Sequence, residues 1–279
     1  MFGFDCYSPR EIAERVENVG VAKAGLPLLS TLALGVLAGG FIGLGAMFFT
    51  LVVSDPGLGF ALGRVLGGVV FSLGLILVVI AGAELFTGNN LLLMACVSRR
   101  ISPTTLARNL TLVYVANFIG AAGLAALVSL SGHARMNHGA VGEAAVSLAA
   151  AKCALPFSEI FFKAVLGNLL VCLAVWISMA GRTVIDKAVA IVFPVSAFVA
   201  CGFEHCIANM YLVPLGILLK DGYPGASPHL ASLDWSGLAH NLLPATLGNL
   251  IGGAGMVGLV YWVIYRRGAC QTAESAGLP

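Results

Sequence analysis

The chain has 279 residues, of which 59% are hydrophobic and 10% charged, with a mean hydropathy of +0.96 and a formal net charge of +2. Soluble domains carry about 25% charged residues, and a globular core of this size cannot hide so much apolar side chain from water, so a bilayer is the predicted solvent. The small net charge, carried in short clusters and not along a stripe, excludes a nucleic-acid footprint.

The first predicted element is short. Ser8-Pro9-Arg10-Glu11 reads as an N-cap, a proline at the first helical position and a capping-box acid, and Ile12, Val16 and Val19 follow as a weak apolar stripe. Residues 1–28 are therefore expected to form an N-terminal amphipathic helix, too polar for a signal peptide. Six apolar stretches follow at 29–54, 60–96, 106–130, 157–180, 187–219 and 241–265. A helix needs roughly 20 residues to cross a bilayer, so the prediction is a six-span membrane domain over 29–267 with a tail at 268–279. Residues 131–156 and 220–240 read as long, mildly polar loops. Ten of the 15 basic residues fall on the side that holds both ends of the chain, which puts both termini in the cytoplasm. The seven cysteines, Cys6, Cys96, Cys153, Cys172, Cys201, Cys206 and Cys270, form no C-x-x-C pair. They read as small buried hydrophobes, with no disulfide framework, metal site or cofactor.

The second and fifth stretches are too long for one crossing, and each carries an acid. Gly82-Ala83-Glu84 with Asn89 matches Gly202-Phe203-Glu204 with Asn209 at identical spacing, and Asn117-Phe118-Ile119-Gly120 matches Asn249-Leu250-Ile251-Gly252. Two related halves of three spans each must have opposite orientations, the inverted repeat that places a substrate site near the midplane. Breaks are expected near 83–92 and 198–206, because non-helical backbone at membrane depth survives only where it is buried in protein or lines a wet cavity.

Ionisable residues within or just beside the spans are functional candidates. Here they are Glu84, Lys152, Glu159, Lys163, Glu204 and His205. His205 stands out, since imidazole can hydrogen-bond an anion and exchange a proton near neutral pH. Glu84 and Glu204 are read as structural, tying down loose N–H groups at the breaks. Asn89, Asn209, Asn117 and Asn249 are assigned to the same bracing. Thr87 can donate to a solute, Asn168 lines the pathway or glues helices, and Lys152 raises the local anion potential. Phe71, Leu75, Leu85, Phe86 and Phe198 flank these positions as candidate apolar constrictions.

The stretches AGAELFTGNN, GNLLVCLAVW, GFEHCIANM and NLLPATLGNLIGGA, with the entry segment SPREIAERVENVGVAKA, resemble the formate/nitrite transporter family over about residues 8–267. The resemblance implies an all-α, aquaporin-like fold of six transmembrane helices, although no Asn-Pro-Ala motif is present. It implies a homopentamer in the cytoplasmic (inner) membrane with one pore per protomer. Its central histidine falls on His205, its loop threonine on Thr87, its pore asparagine on Asn168 and its vestibule lysine on Lys152. Its constriction residues fall on Phe71, Leu75, Leu85, Phe86 and Phe198. The implied activity is transport of a small monovalent anion, formate first, with nitrite and hydrosulfide as alternatives, and with His205 assisting solute protonation. AGAELFTGN and FFKAVLGN look like nitrite members, whereas SMAGRTVIDKA, NLLPATLGNLIGGA and YWVIY look like formate members. A membrane enzyme using His205, Glu204 and Cys206, a neutral-solute pore for water or glycerol and a non-transporting assembly subunit are the rival readings.

Overall fold

The computed structural model describes residues 6–268, so the expected tail, apart from Gly268, and Cys270 lie outside the described residues. Helix α1 (Pro9–Ala24) starts with the capping box read from the sequence: Ser8 Oγ accepts from the Glu11 N–H, and the Glu11 carboxylate accepts from the Ser8 N–H. Polar caps of the same kind open α6 (Pro103–Leu130, capped by Ser102), α9 (Val184–Ala200, capped by Thr183) and α11 (Trp235–Leu250, capped by Asp234). Between these lie α2 (Leu28–Val53), α3 (Phe60–Ile76), α4 (Phe86–Asn89), α5 (Leu93–Val97), α7 (Ala140–Ala154), α8 (Phe157–Ser178) and α10 (Cys206–Leu219). Helix α12 (Val260–Tyr265) follows α11, and no strand occurs among the described residues. Wide π turns extend α3 through Leu77–Gly82 and join α11 to α12 through Ile251–Leu259.

Among the described residues, five helices are long and apolar enough to cross a membrane: 28–53, 60–82, 103–130, 157–178 and 235–265. The pair α9 and α10 supplies the remaining apolar length. Large apolar side chains such as Phe60, Phe162, Leu130 and Phe193 stay exposed on the outside, as lipid-facing surfaces require.

The chain packs as two equivalent halves. Helix α2 lies on α3 and α6, as α8 lies on α9 and α11, and α3 meets α9 where the halves join. Glycines set the closest approaches, since small residues let helix backbones touch in a membrane. A Cβ at Gly120 would overlap the Val36 carbonyl oxygen, and one at Gly252 would overlap that of Val165.

Two expectations need correction. Residues 131–156 are not a loop. They hold α7, whose Val141, Ala145, Val146 and Ala149 are buried. Its sequence AVGEAAVSLAAAKCA is alanine-rich, so small side chains pack on several sides and leave no amphipathic period to read. The non-helical backbone is also narrower than expected. Extended segments cover Ala83–Leu85 and Phe203–His205, while 86–97 runs in α and 3-10 turns despite Thr87, Gly88 and Asn89. Packing overrides their weak helix propensity.

Helix α1 is seated on the membrane domain and does not float beside it. Ile12, Ala13 and Val16 pack with Leu91, Met94, Trp176 and Val257. The carboxylate of Glu17, fully buried, is held by Arg266 at 2.7 Å, Arg100 at 3.7 Å and the Ser98 hydroxyl. Trp262 also donates to Ser98, at 2.8 Å, so both ends of the described chain are clasped to the same loop.

Candidate functional site: paired helix breaks around His205 and Thr87

Each break leaves backbone groups that the helix cannot satisfy, and buried polar groups need partners. At the first, Gly82 turns the chain with φ +86°, and Ala83 and Leu85 are extended. The Glu84 N–H donates to Leu34 O (3.2 Å), and the Phe86 N–H donates to Asn117 Oδ1 (2.9 Å). The Asn117 amide donates back to Gly35 O and Glu84 O, both at 2.8 Å. At the second break, Gly202 has φ +72°. The Glu204 N–H donates to Lys163 O (3.3 Å), and the Cys206 N–H donates to Asn249 Oδ1 (3.0 Å). Asn249 donates to Ala164 O (2.8 Å) and Glu204 O (3.1 Å).

The side chains repeat as well. Glu84 Oε1 meets Lys23 Nζ at 2.9 Å, and Asn89 donates to Glu84 Oε2 (2.7 Å) and Asn109 Oδ1 (2.9 Å). Glu204 Oε1 meets Lys152 Nζ at 2.7 Å, and Asn209 donates to Glu204 Oε2 and Asn241 Oδ1, both at 2.6 Å. All six acid and amide residues are at most 4% exposed, so the carboxylates survive burial through pairing and amide donation.

Lys23, Asn109 and Asn241 were missed as members of these networks. Their signals are in the sequence: Lys23-Ala24-Gly25-Leu26-Pro27 matches Lys152-Cys153-Ala154-Leu155-Pro156, and Asn109 precedes Asn117 by the same interval as Asn241 precedes Asn249. The equivalence therefore extends to the leading helices, with α7 as the counterpart of α1.

Two cavities flank the breaks. One, of about 450 Å³, is lined by Lys23, Leu34, Leu75, Glu84, Leu85 and Asn89, among others. The other, of about 280 Å³, is lined by Arg64, Phe71, Lys152, Lys163, Phe198 and His205, among others. Phe71 and Phe198 meet edge to face at 5.5 Å, and Phe198 lies 5.9 Å from the His205 ring. Phe86 lines neither cavity and packs edge-on to Tyr114. Asn168 also lines neither. Its amide donates to Thr87 O (3.3 Å) and Asn249 O (2.7 Å), behind the first break.

At the centre, Thr87 Oγ1 and His205 Nε2 lie 3.1 Å apart, with Thr87 fully buried and His205 2% exposed. His205 is the N-cap of α10, and its Nδ1 accepts from the Ala208 N–H at 3.1 Å. An imidazole nitrogen that accepts cannot carry the proton, so the neutral ring carries it on Nε2 and donates it to the threonine. The Thr87 hydroxyl hydrogen is then left for another acceptor, although Thr87, like Asn168, lines neither cavity. Among the described residues no group of three His, Cys, Asp or Glu side chains converges as a metal site would require.

The comparisons agree with this architecture. A family model described as "Formate/nitrite transporter" matches residues 10–263. The formate channel FocA of Escherichia coli (strain K12) is 41% identical over 276 residues, covering 95% of this chain and 96% of that protein. A solved structure described as a pentameric formate channel with formate bound aligns with a TM-score of 0.80 at 38% identity, covering 85% of this chain and 97% of the other. A second, described as an FNT family ion channel, aligns with a TM-score of 0.80 at 30% identity, covering 91% and 98%. These relatives are channels and not enzymes, and the chain is a multi-pass membrane protein that belongs to the formate/nitrite transporter family.

Proposed function

We propose that this protein conducts a small monovalent anion, formate, through a pore in each protomer of a homopentamer. The observation that carries the reading is the Thr87–His205 contact, set between two cavities and behind apolar side chains on each side. Substrate and assembly come from the relatives: the solved neighbour is pentameric and holds formate, and FocA is named a formate channel. The protein is placed in the cytoplasmic membrane with both termini inside, as its basic residues favour.

An anion leaving water for the Phe71–Phe198 passage meets a desolvation penalty, since an unpaired charge is costly to bury. The Thr87 hydroxyl, itself receiving the His205 Nε2 hydrogen, donates to one solute oxygen and replaces part of the lost water. Apolar surroundings also raise the proton affinity of any carboxylate. A proton arriving from the bulk as hydronium through the cavity then neutralises the solute, which crosses the Leu75–Leu85 side as the acid and releases the proton beyond it. His205 thus assists protonation by holding the anion where the proton can reach it. Asn168 fixes the Thr87 backbone from behind, and Glu84, Glu204, Asn89 and Asn209 keep the breaks open.

The test is uptake into proteoliposomes of formate, nitrite, hydrosulfide, acetate and chloride, measured across pH for the wild type and His205→Ala. Formate is expected to lead the panel, with flux rising on acidification and falling sharply in the variant. Flux and pH dependence unchanged by His205→Ala would remove the imidazole from the mechanism. A panel led by nitrite would favour the second reading, which the nitrite-like stretch FFKAVLGN at 161–168 supports.

A further inference from the structure

The two cavities are related by the repeat but differ in charge. The larger one is lined by Lys23 and Glu84, which neutralise each other. The smaller is lined by Arg64, Lys152, Lys163 and Glu204. There Lys152 is committed to Glu204 at 2.7 Å, so the pair adds no net charge. Lys163 occupies the position that Leu34 holds in the first half, each giving its carbonyl to the N–H of the repeat glutamate. Its ammonium pairs with Glu159, but both side chains are substantially exposed, where pairing is weak.

Arg64 differs from both lysines. Its guanidinium donates to Ala200 O (Nε, 3.1 Å) and Val199 O (Nη2, 2.6 Å) at the C-terminal end of α9. Those carbonyls are dipoles without net charge. They fix the guanidinium while leaving it a cation, and no carboxylate pairs with it among the described residues.

We propose that Arg64, with Lys163 as the weaker partner, forms an anion-collecting entry subsite in front of the Phe71–Phe198 constriction, a role in which Lys152 is already spent. A fixed cation at the mouth of a cleft with low-dielectric walls concentrates anions. Among the described residues the cavity on the Lys23 side has no equivalent cation, so half-saturation is expected to differ between the two sides of the membrane. The ligand class is a small monovalent anion, and this deepens the transport reading and rests on it.

Two measurements on the pentamer in vesicles decide the matter. The first is formate uptake against concentration at low and high salt. Arg64→Gln is expected to raise half-saturating formate about threefold at low salt with maximal flux retained, and Lys163→Leu less. High salt should erase both effects. The second reads the local potential whether or not the protein conducts. Cys201, exposed between the cavity-lining Val199 and Gly202, is labelled with sulfonate-bearing and trimethylammonium-bearing thiol reagents in a Cys6→Ser, Cys96→Ser, Cys270→Ser background. Arg64→Gln should lower the preference for the sulfonate, and Arg64→Lys, which keeps the charge, should restore it. An unchanged preference overturns the proposal. So does equal impairment in the Gln and Lys variants, which would leave Arg64 only a brace for the end of α9. A wild type that carries no formate would sink the transport reading, and the thiol readout would still decide Arg64.

Discussion

The break at Ala83–Leu85 and the break at Phe203–His205 are built from the same parts and differ in the residue that follows the glutamate. Each has a glycine at positive φ, a glutamate paired to a lysine, an asparagine donating to that glutamate and a second asparagine holding the re-entering helix. After the glutamate comes Leu85 in one and His205 in the other. Two residues further on, Thr87 corresponds to Ile207. The scaffold is thus duplicated, while the polar pair at the centre takes one member from each half. In the transport reading proposed above, what holds the backbone open and what meets the solute are separate sets of residues, and they should fail in separate ways.

The largest expected effect is on the shared scaffold. Glu84→Leu leaves the half-buried Lys23 without its carboxylate and takes an acceptor from Asn89, and Glu204→Leu does the same to Lys152, Asn209 and Asn241. Breaking a buried pair costs about 3–5 kcal/mol, and the partial exposure of the lysines puts both substitutions at the lower end. Both should lower the melting temperature of the detergent-solubilised protein by similar amounts, and a loss in one half alone would break the equivalence. Next comes His205→Leu, which converts the second break into a copy of the first. Formate flux should fall about 100-fold, the usual cost of losing a preorganised donor, with the melting temperature little changed. Gly120→Ala and Gly252→Ala should each cost about 1–3 kcal/mol by overpacking, again as a matched pair in thermal unfolding. The smallest effect separates the leading helices. Ser8's hydroxyl, then its backbone N–H, holds the Glu11 carboxyl below its ordinary value. A depressed value means that the cap's contribution is present above the ordinary value of 4.5 and is lost as pH falls through the folded value. Its counterpart α7 has no side-chain cap. Acidification should therefore speed hydrogen exchange in the first turn of α1 and leave the first turn of α7 unchanged.

Much of this duplication was legible in the sequence because acids and amides are rare in apolar stretches. Glu84 and Asn89 against Glu204 and Asn209 need no alignment to be noticed, and His205 is conspicuous in the same way. The lysines were harder. Lys23 and Lys152 belong to helices outside the apolar spans, where a cation is ordinary, and only the shared Leu-Pro three residues on marks them as equivalent. Asn109 sits beside Arg108 in what reads as a polar helix start, and Asn241 follows His240 in the same way. Helix α7 escaped because alanine supplies no contrast between faces. Asn168 and Phe86 show a different limit: periodicity puts them near the centre but does not say which way the side chain turns. One faces the back of the Thr87 peptide and the other Tyr114.

The Ala208 N–H seated on His205 Nδ1 has a consequence for the energetics of the membrane. A ring that handed protons straight through would take one up on one nitrogen and release it from the other. Here one nitrogen is permanently occupied by a peptide donor, so any charge the ring exchanges must enter and leave by the same face. In the transport reading proposed above, a cell holding an electrochemical gradient keeps this pathway open to solute without leaking protons through the central imidazole.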